Sequence, residues 1–120
     1  MRLTNCLIGS SVAIVAVACA VAQESSVARE SIVAQGREVF MARCEYCHGQ
    51  GLQKGGTMAL QGRYQGAVPA VLDQRTNLTP EYIRAVVRTN TNGMSPIRIT
   101  EVDEQQLDAV IAYLMRNNND

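Results

Sequence analysis

Apolar residues recur at helical spacing in three stretches of the chain. From Ser31 to Cys44, Ile32, Val33, Gly36, Val39 and Phe40 fall on one face, broken by Arg43. A second helix is signalled by Thr79-Pro80-Glu81. Thr79 suits the N-cap, Pro80 the first helical position, and Glu81 the positive end of the helix dipole. Tyr82, Ile83, Val86 and Val87 then form an i, i+1, i+4, i+5 stripe that stops at Asn90-Thr91-Asn92-Gly93. A third helix is expected to start near Thr100, with Glu101, Asp103 and Glu104 in its first turn. Leu107, Val110, Ile111 and Leu114 form its apolar face, and Arg116 and the Asn117-Asn118-Asn119 run end it. Between the first two helices the chain reads as a long, polar, glycine-rich connection from Gly49 to Asn77. A loop of that length is uncommon without a function.

Residues 1–22 have a different character. Arg2 is the lone charge, an apolar run follows through Val12–Val21, and Ala20-Val21-Ala22 forms an A-x-A site before Gln23. This predicts a cleaved secretory signal at 1–22 and one mature domain at 23–120. A retained membrane anchor is the alternative, but the run is short for a span and is interrupted by Gly9-Ser10-Ser11. A lipid-modified Cys19 is a further alternative, though Ala16-Val17-Ala18 lacks the usual lipobox Leu. Loss of Arg2 leaves one fewer base than acid. Near-neutral charge without a basic block argues against a nucleic-acid partner.

The chemistry concentrates at Cys44-Glu45-Tyr46-Cys47-His48, a C-x-x-C-H signature. Two thiols at this spacing can each form a thioether to a haem vinyl group, and the adjacent imidazole can then serve as proximal iron ligand. His48 is the only histidine. A structural zinc site would need a second ligand pair. Cys6 and Cys19 lie in the apolar N-terminal stretch and cannot supply it. A thioredoxin-type C-x-x-C would need a βαβ setting, and almost no strand pattern surrounds it. Composition agrees with a cofactor as core, since the chain has one Phe, no Trp and four Tyr.

An iron ligated by His48 can take a second protein ligand. Met94 lies in Asn92-Gly93-Met94-Ser95-Pro96, between two predicted helices, where Gly93 frees the backbone and Pro96 stiffens it. Met94 is the expected sixth ligand, with Met58 the next candidate. The plainer reading is that Met94 packs between helices. Met41 and Met115 sit in predicted helices and are expected to pack or point away.

Taken in order, the helix entering C-x-x-C-H, the Met-bearing loop and the amphipathic last helix resemble class I monohaem cytochromes c over essentially the whole of 23–120. Gly36 and Phe40 match the positions where that family's first helix crosses its last, and Tyr113 matches the aromatic that packs there. The resemblance implies an all-α fold, a small class I cytochrome c of three to five helices around one covalently bound haem c. It implies Cys44 and Cys47 as attachment residues, and His48 and Met94 as iron ligands. It also implies haem attachment outside the bacterial cytoplasm, in agreement with a signal peptide and a periplasmic location. Two departures stand out. Many relatives carry a Pro whose carbonyl accepts the proximal imidazole N–H; here Gly55-Gly56-Thr57-Met58 occupies that region, and a carbonyl near Gly56 or Thr57 is a candidate substitute, with no acceptor assigned by the sequence. Pro also follows Met directly in many relatives, whereas Ser95 intervenes here.

The function this implies is single-electron transfer without a catalytic acid, base or nucleophile. Redox proteins are the expected partners, with a periplasmic dehydrogenase as donor and an oxidase or cytochrome as acceptor, and no stable membrane insertion after signal cleavage. The segment from Leu78 to Met94 with the closing helix looks like small cytochromes that serve such dehydrogenases, among them the cytochrome subunit of p-cresol methylhydroxylase. The alternative is a gas-binding or sensing haem protein with an open iron site. Arg63, Tyr64, Arg84 and Arg98 are candidates to pair with haem propionates, against the commoner role of solvated surface residues.

Overall fold

The computed structural model describes residues 9–118, with side chains from residue 25 onward. Residues 1–8 of the expected signal segment lie outside this range. The chain divides into two compact units, one ending at Ser31 and the other beginning at Ile32. Helix α1, Gly9–Arg43, supplies the first unit and opens the second. Among the described residues no helix is long and apolar enough to cross a membrane.

The second unit continues through α2 (Glu45–His48), α3 (Gly55–Tyr64), a 3-10 turn at Leu72–Gln74, α4 (Pro80–Arg88) and α5 (Glu104–Met115). No strand occurs among the described residues, only an isolated bridge between Thr91 and Met94. The expected all-α architecture, a small cytochrome c fold, is the one observed.

The core forms where the sequence stripes predicted it. Phe40 of α1 is buried beside Tyr113 of α5, with ring centroids 5.4 Å apart and planes tilted by 46°. Gly36, one turn earlier, lies where a Cβ would overlap the Ala109 carbonyl, so only glycine lets the two helices approach this closely. Leu107, Val110, Ile111 and Leu114 are all buried on α5. On α4 the four-residue stripe splits into two rows. Ile83 and Val87 enter the core, while Tyr82 and Val86 face a cavity.

Helix boundaries follow from their caps. The Thr79 hydroxyl accepts the Tyr82 N–H at 3.2 Å, with Pro80 at the start of α4 as expected. Helix α5 begins at Glu104 rather than near Thr100. Asp103 accepts the Gln106 N–H at 2.8 Å and the Gln106 side chain accepts the Asp103 N–H at 3.0 Å. This reciprocal capping box fixes the start, and residues 98–102 form a turn before it. The C-terminal asparagines do more than end a helix. Asn117 donates to the Asp73 carbonyl at 2.7 Å and Asn118 to the Leu78 carbonyl at 2.6 Å, tying the 3-10 turn and the approach to α4 onto α5.

The connection expected between Gly49 and Asn77 contains α3. Its residues Gly55, Gly56, Ala59, Leu60, Arg63 and Tyr64 recur at helical spacing on the face that lines the cavity. None of its residues is buried against other protein. Half of the stripe is glycine and alanine, which carry little hydrophobic signal, and so the segment reads as a loop.

Candidate haem-binding site

The C-x-x-C-H segment continues from α1 as a further helical turn. The Cys44 N–H bonds the Phe40 carbonyl at 2.8 Å, and the His48 N–H bonds the Cys44 carbonyl at 2.9 Å. Cys44, Cys47 and His48, at i, i+3 and i+4, therefore project on one side. All three line a cavity of about 610 Å³, a size within the usual range for cofactor sites. Cys44 is half-buried and Cys47 exposed. Burial, and then the neighbouring Cys47, push the Cys44 thiol up to about 11.

His48 is held from behind by α3. Its Nδ1 is buried without a hydrogen-bond partner, and a Cβ on Gly56 would lie 2.6 Å from its Cε1. The carbonyl acceptor expected near Gly56 or Thr57 is not within bonding reach: the ring packs against the Gly56 backbone instead. Thr57 is used elsewhere, donating to the Gly49 carbonyl at 2.9 Å and pinning α3 to the motif. Lys54 adds an ion pair to Glu45 at 2.8 Å. Burial lowers the His48 pKa below its ordinary 6.5, so the imidazole is neutral at pH 7. With Nδ1 sealed against α3, Nε2 is the nitrogen left for a metal.

Met94 lines the same cavity. It closes a tight turn in which its N–H bonds the Thr91 carbonyl at 3.1 Å. Asn92 and Gly93 both adopt positive φ, 54° and 85°, as a type I′ turn requires, and Asn-Gly is the pair that tolerates it best. The loop is tied down at its far side. The Ile97 N–H bonds the Val87 carbonyl at 2.8 Å. Arg88 donates to the Ile97 carbonyl at 3.0 Å, the Val102 carbonyl at 2.9 Å and Glu104 Oε1 at 2.7 Å. Of the other methionines, Met58 is 62% exposed and Met41 48% exposed, and neither lines the cavity. Met115 packs against the core.

Two of the four propionate candidates, Arg63 and Tyr64, line the cavity. Arg84 instead pairs with Glu104 and Asp108, and Arg98 with Glu101. Arg43, which broke the first stripe in the sequence, turns out to face the cavity, as do Tyr82 and Asn92. The break itself was the signal, since a polar residue at an inward position points to something other than an apolar core. Among the described residues no group of three His, Cys, Asp or Glu side chains forms a metal-donor cluster.

Two thiols and an imidazole on one wall, a thioether on the loop, and a helix with no buried residue facing the cavity together fit haem c. Residues 31–114 match the family described as cytochrome c oxidase, cbb3-type, subunit III. The chain belongs to this family. It is a c-type cytochrome, an electron-transfer haem protein rather than a catalyst, and redox proteins are its partners. No curated protein and no solved structure gives a significant match. The likeness to the cytochrome subunit of p-cresol methylhydroxylase therefore stands on the sequence pattern alone.

Proposed function

We propose that this cytochrome is a single-electron carrier of the periplasm, holding one haem c covalently through Cys44 and Cys47 with His48 and Met94 as the axial ligands. The observation that carries this reading is the convergence of all four side chains on one cavity. Bound there, haem c supplies a one-electron ferric/ferrous couple. The chain's own residues do the rest. His48 presents Nε2 with its other nitrogen buried, the Asn92-Gly93 turn sets the backbone that carries Met94, and α3 would line one side of the bound group. A thioether ligand favours the ferrous state and raises the potential, and two protein ligands leave no open position for substrate. Met94 in the cavity favours electron transfer over the gas-binding alternative, which requires an open position.

Residues 1–22 act as an export signal on this account, consistent with haem attachment outside the cytoplasm. The donor is a periplasmic dehydrogenase, with the cytochrome free or as its subunit, and the acceptor is an oxidase or another cytochrome. The exposure of Cys47 supports electron exchange at the thioether edge of the site.

Replacing Met94 tests the ligand set. In Met94→Ala the midpoint potential falls and the ferrous protein binds carbon monoxide, while Met58→Ala retains wild-type behaviour. A Met94→Ala protein with wild-type potential and no carbon monoxide binding would remove Met94 from the iron.

A further inference from the structure

A histidine that ligates a metal through one ring nitrogen almost always donates its other N–H to a carboxylate, a carbonyl or water, and that bond raises its basicity. His48 departs from this pattern. Ligation through Nε2 leaves the proton on Nδ1, and Nδ1 is buried with no acceptor. Oxygens on the adjoining turn have other donors. The Thr57 hydroxyl donates to the Gly49 carbonyl at 2.9 Å and reaches the Cys47 carbonyl at 3.5 Å, and Glu45 Oε1 accepts from Lys54 at 2.8 Å. An orphaned buried donor is rare in a native fold and calls for a reason.

The reason lies in Gly56. A Cβ at this position would stand 2.6 Å from His48 Cε1, 2.7 Å from Nδ1 and 2.9 Å from the Cys47 carbonyl oxygen. Any other residue would push the ring or the helix aside. Glycine lets the α3 backbone close this edge of the imidazole to water without offering it an oxygen. The Thr57 and Lys54 bonds keep α3 in place. Gly55 and Gly62, on the same helix, would meet nothing within 4 Å of a Cβ, so the close approach is particular to Gly56.

We propose that Gly56 is a positioning residue for the proximal ligand: by sealing Nδ1 without an acceptor it keeps His48 a weak donor to iron and so holds the reduction potential up. The inference rests on the haem reading above. A ligand whose N–H has an acceptor is more electron-rich at its other nitrogen and favours the ferric state, and one without an acceptor favours the ferrous state. Orientation of the ring, elsewhere a task of that hydrogen bond, falls here to packing against Gly56.

The test uses the haem-loaded wild type, Gly56→Ala, Thr57→Val and Gly62→Ala. His48 is the only histidine, so isotope-labelled histidine reports this ring alone. Solvent exchange of the ring N–H is read by NMR in the ferrous state, and midpoint potential by spectroelectrochemistry. The wild-type N–H is expected to exchange slowly and to show no scalar coupling to a carbonyl carbon. Gly56→Ala, which must displace the ring or α3, admits water to Nδ1, speeds exchange and shifts the midpoint to lower potential. Thr57→Val removes the pin without adding bulk at the ring, and moves both readouts the same way by less. Gly62→Ala leaves both unchanged. Where Gly56→Ala does not accumulate, Thr57→Val decides. A wild-type N–H coupled to a carbonyl, or wild-type exchange and potential in both variants, would overturn the proposal and reduce Gly56 to helix packing. A lowered potential with unchanged exchange would count against it as well. Absence of covalent haem in the wild type would instead overturn the haem reading itself, a separate outcome.

Discussion

His48 shows how much a single residue's setting decides. Its imidazole is pressed against the Gly56 backbone, Nδ1 is sealed, and burial holds its pKa below 6.5. A histidine with a depressed folded pKa takes its proton more readily in the unfolded chain. Folding stability is therefore retained above pH 6.5 and lost as pH falls through and below it. Iron ligation takes the same neutral ring out of titration, so this effect belongs to the protein before haem attachment. Its denaturant midpoint should fall between pH 7 and about pH 5 and stay level just above pH 7. At this scale the sequence was informative where chemistry dictates spacing. Cys44, Cys47 and His48 are legible as a set because the C-x-x-C-H spacing turns all three to one side, and they do line one cavity. The backing of His48 was not legible, because the absent Pro suggested a substitute carbonyl, and a ring packed on a glycine leaves no mark in a sequence. Arg75, buried beside the Tyr64 ring, escaped notice for a related reason: burial of a charge depends on what folds over it.

Elements succeed or fail as sequence signals according to what they pack against. Helices α4 and α5 bury Ile83, Val87, Leu107 and Val110 against protein, so their periodicity stands out. The crossing at Gly36 and Phe40, which the family resemblance implied, is found where both meet α5. Helix α3 packs its small-residue face on the cavity, and its stripe is invisible to a search for hydrophobic side chains. The Met94 loop belongs to a third kind, held by polar contacts from a distance. Arg88 binds the Ile97 and Val102 carbonyls and Glu104, joining α4, the loop and the start of α5. Hydrogen bonds to a charged group contribute about 1.5–3 kcal/mol each, and Arg88 makes three. Arg88→Gln should keep covalent haem but lose the long-wavelength band of Met bound to ferric iron at lower temperature or denaturant than wild type. An unchanged thermal profile of that band would show that the loop is held by its own turn alone.

Across the whole second unit, protein supplies only part of the interior. The core gathers α1, α4 and α5 around Phe40, Leu107 and Tyr113, while α3 has no buried residue and the cavity lies between the C-x-x-C-H motif, α3 and the Met94 loop. Aromatic residues make up 4% of the chain, too few to fill that space, and a haem would complete the core as well as perform the chemistry. Membership of the cytochrome family and an all-helical fold agree with that arrangement. The central claim is a six-coordinate His/Met haem that passes electrons and binds nothing else. The most direct measurement is the optical spectrum of the purified wild-type protein, oxidised, then reduced, then exposed to carbon monoxide. The account predicts sharp reduced α and β bands, a weak long-wavelength Met-to-iron band in the oxidised state, and no change on adding carbon monoxide. A spectrum without the Met band, or a shift with carbon monoxide, would contradict it and make ligand binding the function of the site.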